Sequence, residues 1–176
     1  MYGLKDNVAR KAGTMGKEEN KEMEFWTQEE FQEFLECVAD KPVSYYAFEM
    51  LYWTGIREGE LLALTPADFN FEKKTLRINK SYQRLEGEDV ITDPKTPKSN
   101  RTIVMPDFLT IEMENFIKSI YGIKMDDRIF TISKSYLHHE MDRGAKLAGV
   151  KRIRIHGLRH PYVKHTTKIF SLRLMD

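Results

Sequence analysis

The chain is expected to fold as an α+β domain, mainly helical, with a small three-stranded antiparallel sheet between two groups of helices. Three observations predict this. Apolar residues recur at helical spacing from residue 25 to about 65, the period falls toward two from Asp68 to Pro106, and helical spacing returns from Asp107. At 176 residues and 41% hydrophobic content, the chain suits one core better than two.

Residues 1–24 show no sustained apolar period and read as an arm or linker, with the domain proper at 25–176. Thr27 and Glu30 form a capping box, and Phe31, Phe34, Leu35 and Val38 follow at helical spacing. Pro42 suits the first turn of a second helix carrying Tyr46, Ala47, Met50, Leu51 and Trp53 and ending at Thr54-Gly55. A short third helix runs through Leu61, Leu62 and Leu64 until Thr65-Pro66 stops it. Strands are expected at Thr75–Tyr82, Val90-Ile91 and Arg101–Met105, and the loop between the last two holds two prolines and presents Lys95 and Lys98. Leu109, Met113, Phe116, Ile117 and Ile120 share one face of a helix over 107–121. After the short apolar run at 129–132, Ser133 or Ser135 caps another helix and Gly149 ends it; a last helix should begin near His156.

Charge is balanced overall, with Lys+Arg 28 against Asp+Glu 27, but it is unevenly placed. Residues 17–40 hold two lysines and nine acids, whereas residues 142–176 hold nine basic residues and two aspartates. A basic end of this kind fits either a nucleic-acid partner or an ordinary solvated face. The single cysteine, Cys37, excludes an internal disulfide, points to a reducing compartment and reads as a small buried apolar residue. No run reaches the length of a membrane span, so a soluble cytoplasmic protein is expected.

Two segments carry candidate chemistry. Thr54-Gly55-Ile56-Arg57-Glu58-Gly59-Glu60 places Arg57 just after a turn glycine at the head of a helix, with Glu60 within reach on the same face. Taken alone, this is as easily an ordinary helical ion pair. Arg154-Ile155-His156-Gly157-Leu158-Arg159-His160 puts His156, Arg159 and His160 on one side of a helix, a donor cluster suited to a phosphodiester. Zinc at His156 and His160 is disfavoured because no glutamate completes the arrangement and Arg159 would set a positive charge beside the metal. His138-His139 reads as a helix face with one ring packed and one exposed, and His165 has no evident partner.

Together, the segment 54–64, Lys95-Thr96 before Ser99-Asn100-Arg101-Thr102-Ile103, and His156-Gly157-Leu158-Arg159-His160 resemble, in order, the motifs of the tyrosine recombinases or phage-type integrases. The likeness spans about 25–160 and is nearest to integrases of Gram-positive phages and integrative conjugative elements. It implies catalytic roles for Arg57, Lys95, His156 and Arg159, support from Glu60 and His160, and DNA contacts from Lys98, Arg101 and Arg154. It further implies double-stranded DNA as partner, no metal or nucleotide cofactor, and tetramers on DNA in full-length members. The family's reaction is site-specific recombination, in which a tyrosine hydroxyl attacks a DNA phosphodiester.

The tail departs from that pattern. After His160 the only tyrosine is Tyr162, too close to Arg159 for the family's nucleophile and read as a packing residue. The chain is therefore expected to be truncated or altered after about 160, to bind DNA weakly as a monomer and not to cleave it. A non-catalytic DNA-binding remnant and a type IB topoisomerase-like enzyme remain as alternatives.

Overall fold

The computed structural model describes residues 24–92 and 100–159. Helix α1 (Gln28–Val38) begins as expected: the Thr27 hydroxyl accepts from the Glu30 amide at 3.3 Å, and the Glu30 carboxylate accepts from the Thr27 amide at 2.8 Å. Its four buried residues are the four read from the sequence. Helix α2 (Pro42–Thr54) starts at the proline and closes at Gly55, whose φ of 61° is the left-handed conformation glycine adopts without strain. Helix α3 is shorter than expected, a single turn over Glu58–Leu61. The next residues tighten into turns, with the Ala63 amide donating to Glu60 and that of Leu64 to Leu61. Leu61, Leu62 and Leu64 are all buried nonetheless, because the turn keeps them on the inner side. Pro66–Asp68 then form a 3-10 turn.

The expected small three-stranded antiparallel sheet is present, though not from the three segments read as strands, and among the described residues a separate two-stranded hairpin stands beside it. Strands β1 (Phe69–Asn70), β2 (Thr75–Ile78) and β5 (Arg101–Val104) form one antiparallel sheet in the order β1-β2-β5, with Leu76 opposite both Phe69 and Ile103. Strands β3 (Ser81–Leu85) and β4 (Glu88–Thr92) form a separate hairpin. Its turn residues Glu86 and Gly87 both have positive φ, 51° and 90°, which matches the strand twist. The segment read as one strand over Thr75–Tyr82 breaks at Asn79-Lys80. There the Lys80 ammonium is drawn 2.6 Å from the Asp68 carboxylate and 3.0 Å from the Thr65 hydroxyl. The inward set Leu76, Ile78 and Tyr82 keeps a period of two across the break, so the pattern conceals it.

Helix α4 (Asp107–Ser119) buries Leu109, Met113, Phe116 and Ile117. Helix α5 (Lys134–Ala148) is capped by the Ser133 hydroxyl, which accepts from the Tyr136 amide at 3.1 Å, and ends at Gly149 with φ 70°. Helices α1 and α5 approach so closely that a Cβ on Gly144 would overlap the Phe34 ring and Val38. Ile155–Arg159 form a 3-10 turn where the last helix was expected to begin. Residues from His160 onward, including Tyr162 and His165, lie outside the described residues, as do 1–23.

Aromatic rings hold the centre together. Trp26, Phe31, Phe34, Phe48 and Tyr52 are each at most 2% exposed, and Phe31 stacks on Tyr52 with centroids 3.7 Å apart. Burying each such side chain contributes about 1.5–3 kcal/mol, which is what fixes α1 and α2 against α5. Among polar groups, Glu140 of α5 accepts from Lys41 at 2.6 Å and from Arg143 at 2.7 Å, clamping the α1–α2 corner. Two expectations need correction. His138 and His139 are both exposed, because their helix turns that face toward solvent, and Cys37 is only half-buried at the edge of the α1 stripe. No helix among the described residues is long and apolar enough to cross a membrane.

A candidate phosphate-binding cleft

The site begins at the end of α2. Gly55 reverses the chain, Ile56 plugs into the core at 0% exposure, and Arg57 emerges at the amino-terminal edge of α3. Three residues later Glu60, 5% exposed, turns its carboxylate back. It accepts from the Arg57 amide at 2.8 Å and from the Arg57 guanidinium at 2.9 Å. From β5, Arg101 adds a two-pronged contact at 2.8 and 3.1 Å. One buried acid is thus shared by two guanidiniums. Burial pushes the Glu60 carboxyl upward, but the hydrogen bonds from Arg101 and from the Arg57 amide outweigh it and hold the group below the usual range.

Arg159 arrives from the other end of the sequence on the Ile155–Arg159 turn. Its Nε donates to the Gly55 carbonyl oxygen at 2.6 Å, so it is fastened to the turn from which Arg57 departs. Burial, and then the positive charge of Arg57, lower its pKa. Two cations in one half-buried place repel each other, and an anion seated between them removes that penalty. Gly157 is required here because a Cβ would strike the backbone carbonyl of Glu24. The same entry segment is tied down by the Trp26 indole, which donates to the Lys151 carbonyl at 2.6 Å, and by the Lys151–Glu24 ion pair.

Arg57, His156 and Arg159 line one cleft of about 390 Å³, together with Lys134, Ser81, Gln83 and Glu58, over a floor of Leu51, Ile56 and Ile155. Its lining sets the anchored guanidiniums of Arg57 and Arg159 beside neutral polar groups, with the Glu58 carboxylate at one side, and the cationic part suits a tetrahedral oxyanion. Gly59 lets α3 meet β3, since a Cβ there would come within 2.6 Å of the Ser81 hydroxyl.

Of the residues singled out from sequence, Arg57, His156 and Arg159 converge on the cleft and Glu60 lies beneath it. Arg101 is Glu60's second partner, and Arg154 is exposed beside the cleft-lining turn. Lys95, Lys98 and His160 lie outside the described residues. Sequence reading missed Lys134, Ser81 and Gln83, because no spacing shows that β3 and the start of α5 face the same cleft. Among the described residues no group of three or more His, Cys, Asp or Glu could hold a metal ion.

Comparison with known proteins gives a consistent result. Residues 24–167 match the phage integrase family. The chain is 34% identical over 99 residues to the ICEBs1 integrase of Bacillus subtilis, covering 56% of this chain and 26% of that protein. To a tyrosine recombinase XerC-like protein of Caldanaerobacter subterraneus it is 28% identical over 190 residues, covering 90% of this chain and 46% of the relative. The chain therefore spans less than half the length of these curated relatives. Its fold matches that of the Tn1549 transposon integrase, solved with a circular intermediate DNA, at a TM-score of 0.70 and 21% identity, over 86% of this chain and 55% of the other. XerA recombinase gives a TM-score of 0.61 at 17% identity, over 80% and 49%.

Proposed function

Because this chain belongs to the phage integrase family, we propose that its cleft grips a backbone phosphate of duplex DNA for site-specific strand exchange by a tyrosine recombinase. The observation that carries the reading is the meeting of Arg57, His156 and Arg159 in one cleft despite their separation in sequence. In this reading the two guanidiniums take the non-bridging oxygens and stabilise the negative charge that builds there as the phosphorus is attacked. Glu60 acts through Arg57, fixing its angle without touching DNA. His156 hydrogen-bonds the phosphate or assists proton transfer, and Lys95 protonates the leaving 5′-oxygen as the bond to phosphorus breaks. Where a tyrosine hydroxyl from outside the described residues is delivered to the phosphorus, its oxygen would bond there as the 5′-oxygen leaves, and the resulting phosphotyrosine would conserve the bond energy for rejoining.

In the same reading residues 25 onward form the catalytic-type domain and residues 1–24 an arm. The 176-residue chain by itself is expected to bind without cleaving, because Tyr162, three residues beyond Arg159 in sequence, does not match the position of the family's nucleophile. Two measurements test this. Duplex binding should weaken steeply with salt, because each neutralised phosphate releases counterions, and Arg57→Ala should reduce it. A nicked suicide substrate should trap no covalent adduct. Salt-insensitive binding would remove the phosphate reading, and a trapped adduct, traced with Tyr162→Phe, would overturn the claim that the chain does not cleave.

A further inference from the structure

Lys134 is the first residue of α5, and its side chain lines the same cleft as Arg57, His156 and Arg159. We propose that Lys134 is an additional DNA-backbone contact of this site, taking a phosphate next to the one between the two arginines. The inference deepens the DNA-gripping reading and rests on it.

Three features support this role. Lys134 stands on a capped helix whose position is fixed by the Gly144 contact with Phe34 and Val38, so its backbone is held by the core rather than by a loop. Across the gap lies Glu58, largely buried, whose carboxylate meets His138 of α5 at 3.4 Å and also feels the charge of Lys134. Lys134 itself is exposed, so its ammonium is accessible to a phosphate arriving at the cleft. Finally, Ser81 and Gln83 of β3 place neutral polar groups in the same cleft. An ammonium is a compact point charge with three donors on a flexible stem, suited to a phosphate oxygen and not to reading a base edge.

The test is fluorescence anisotropy of the 176-residue chain on a short duplex across about 50 to 200 mM salt. Lys134→Gln should weaken binding about five-fold at the low-salt end and reduce the slope of log affinity against log salt by about 0.9, the loss of one phosphate contact. Lys134→Arg should restore both, and thermal melting should be unchanged in either variant. A Lys134→Gln protein with wild-type slope overturns the proposal, whether its affinity is unchanged or falls together with its melting temperature. Arg57→Ala serves as the control: if it weakens binding while Lys134→Gln does not, only the Lys134 assignment fails. If the wild-type chain shows no salt-dependent binding, the DNA-gripping reading fails, and this one with it.

Discussion

Replacing Glu60 by alanine removes the acceptor of four hydrogen bonds: one from the Arg57 amide, one from the Arg57 guanidinium and two from Arg101. Breaking a fully buried ion pair by deleting one partner costs about 3–5 kcal/mol. The Arg57 side chain is 57% exposed and that of Arg101 is 29% exposed, so both can partly rehydrate. Discounting for this screening leaves about 2–3 kcal/mol. With an m-value near 2 kcal/mol/M for a domain of this size, the urea midpoint should fall by about 1 to 1.5 M. Glu60→Gln keeps the shape but not the charge and should lie between alanine and wild type. Because the folded-state carboxyl is held below its ordinary pKa, its contribution is present above the unfolded value of 4.5 and is lost as pH falls through the lower folded value. The wild-type advantage over Glu60→Gln should therefore shrink in acid. A midpoint shift of Glu60→Ala under about 0.2 M would refute the shared-acid account of this site.

Other expectations follow from individual contacts. Glu49 sits buried between α2 and α4, where burial and then the Glu112 charge push its carboxyl up to about 7, so the folded state holds a proton the unfolded state gives up and stability declines as pH rises from 4.5 to about 7. Glu49→Gln should raise the melting temperature at pH 8 and change it little at pH 4, as differential scanning fluorimetry would show; equal effects at both would contradict the assignment. Gly144→Ala forces a methyl into the Phe34 ring and Val38 and should cost about 1–3 kcal/mol in urea unfolding. Trp26→Phe loses the indole bond to the Lys151 carbonyl and should lower stability by about 1 kcal/mol or more, read as a drop of a few degrees in melting temperature.

The sequence made most of the helical framework legible because each boundary had a local chemical marker. Thr27 with Glu30, Pro42, Gly55, Ser133 and Gly149 all act within a turn of where they stand. The sheet was less legible. Whether residues 75–82 form one strand or two depends on Lys80 reaching Asp68, a contact between elements that periodicity does not register. The site divides along the same line. Arg57 with Glu60 is a pair three residues apart and visible as such, yet Arg101 as the second partner of Glu60 arises from sheet pairing across 41 positions. Likewise Gly157 within the motif gives no hint that the Glu24 backbone passes against it.

The bond from Arg159 to the Gly55 carbonyl has a mechanical consequence. Arg57 leaves the chain two residues beyond that carbonyl, so both guanidiniums hang from a single reverse turn. A shift of that turn therefore carries the backbone of Arg57 and the anchor of Arg159 together.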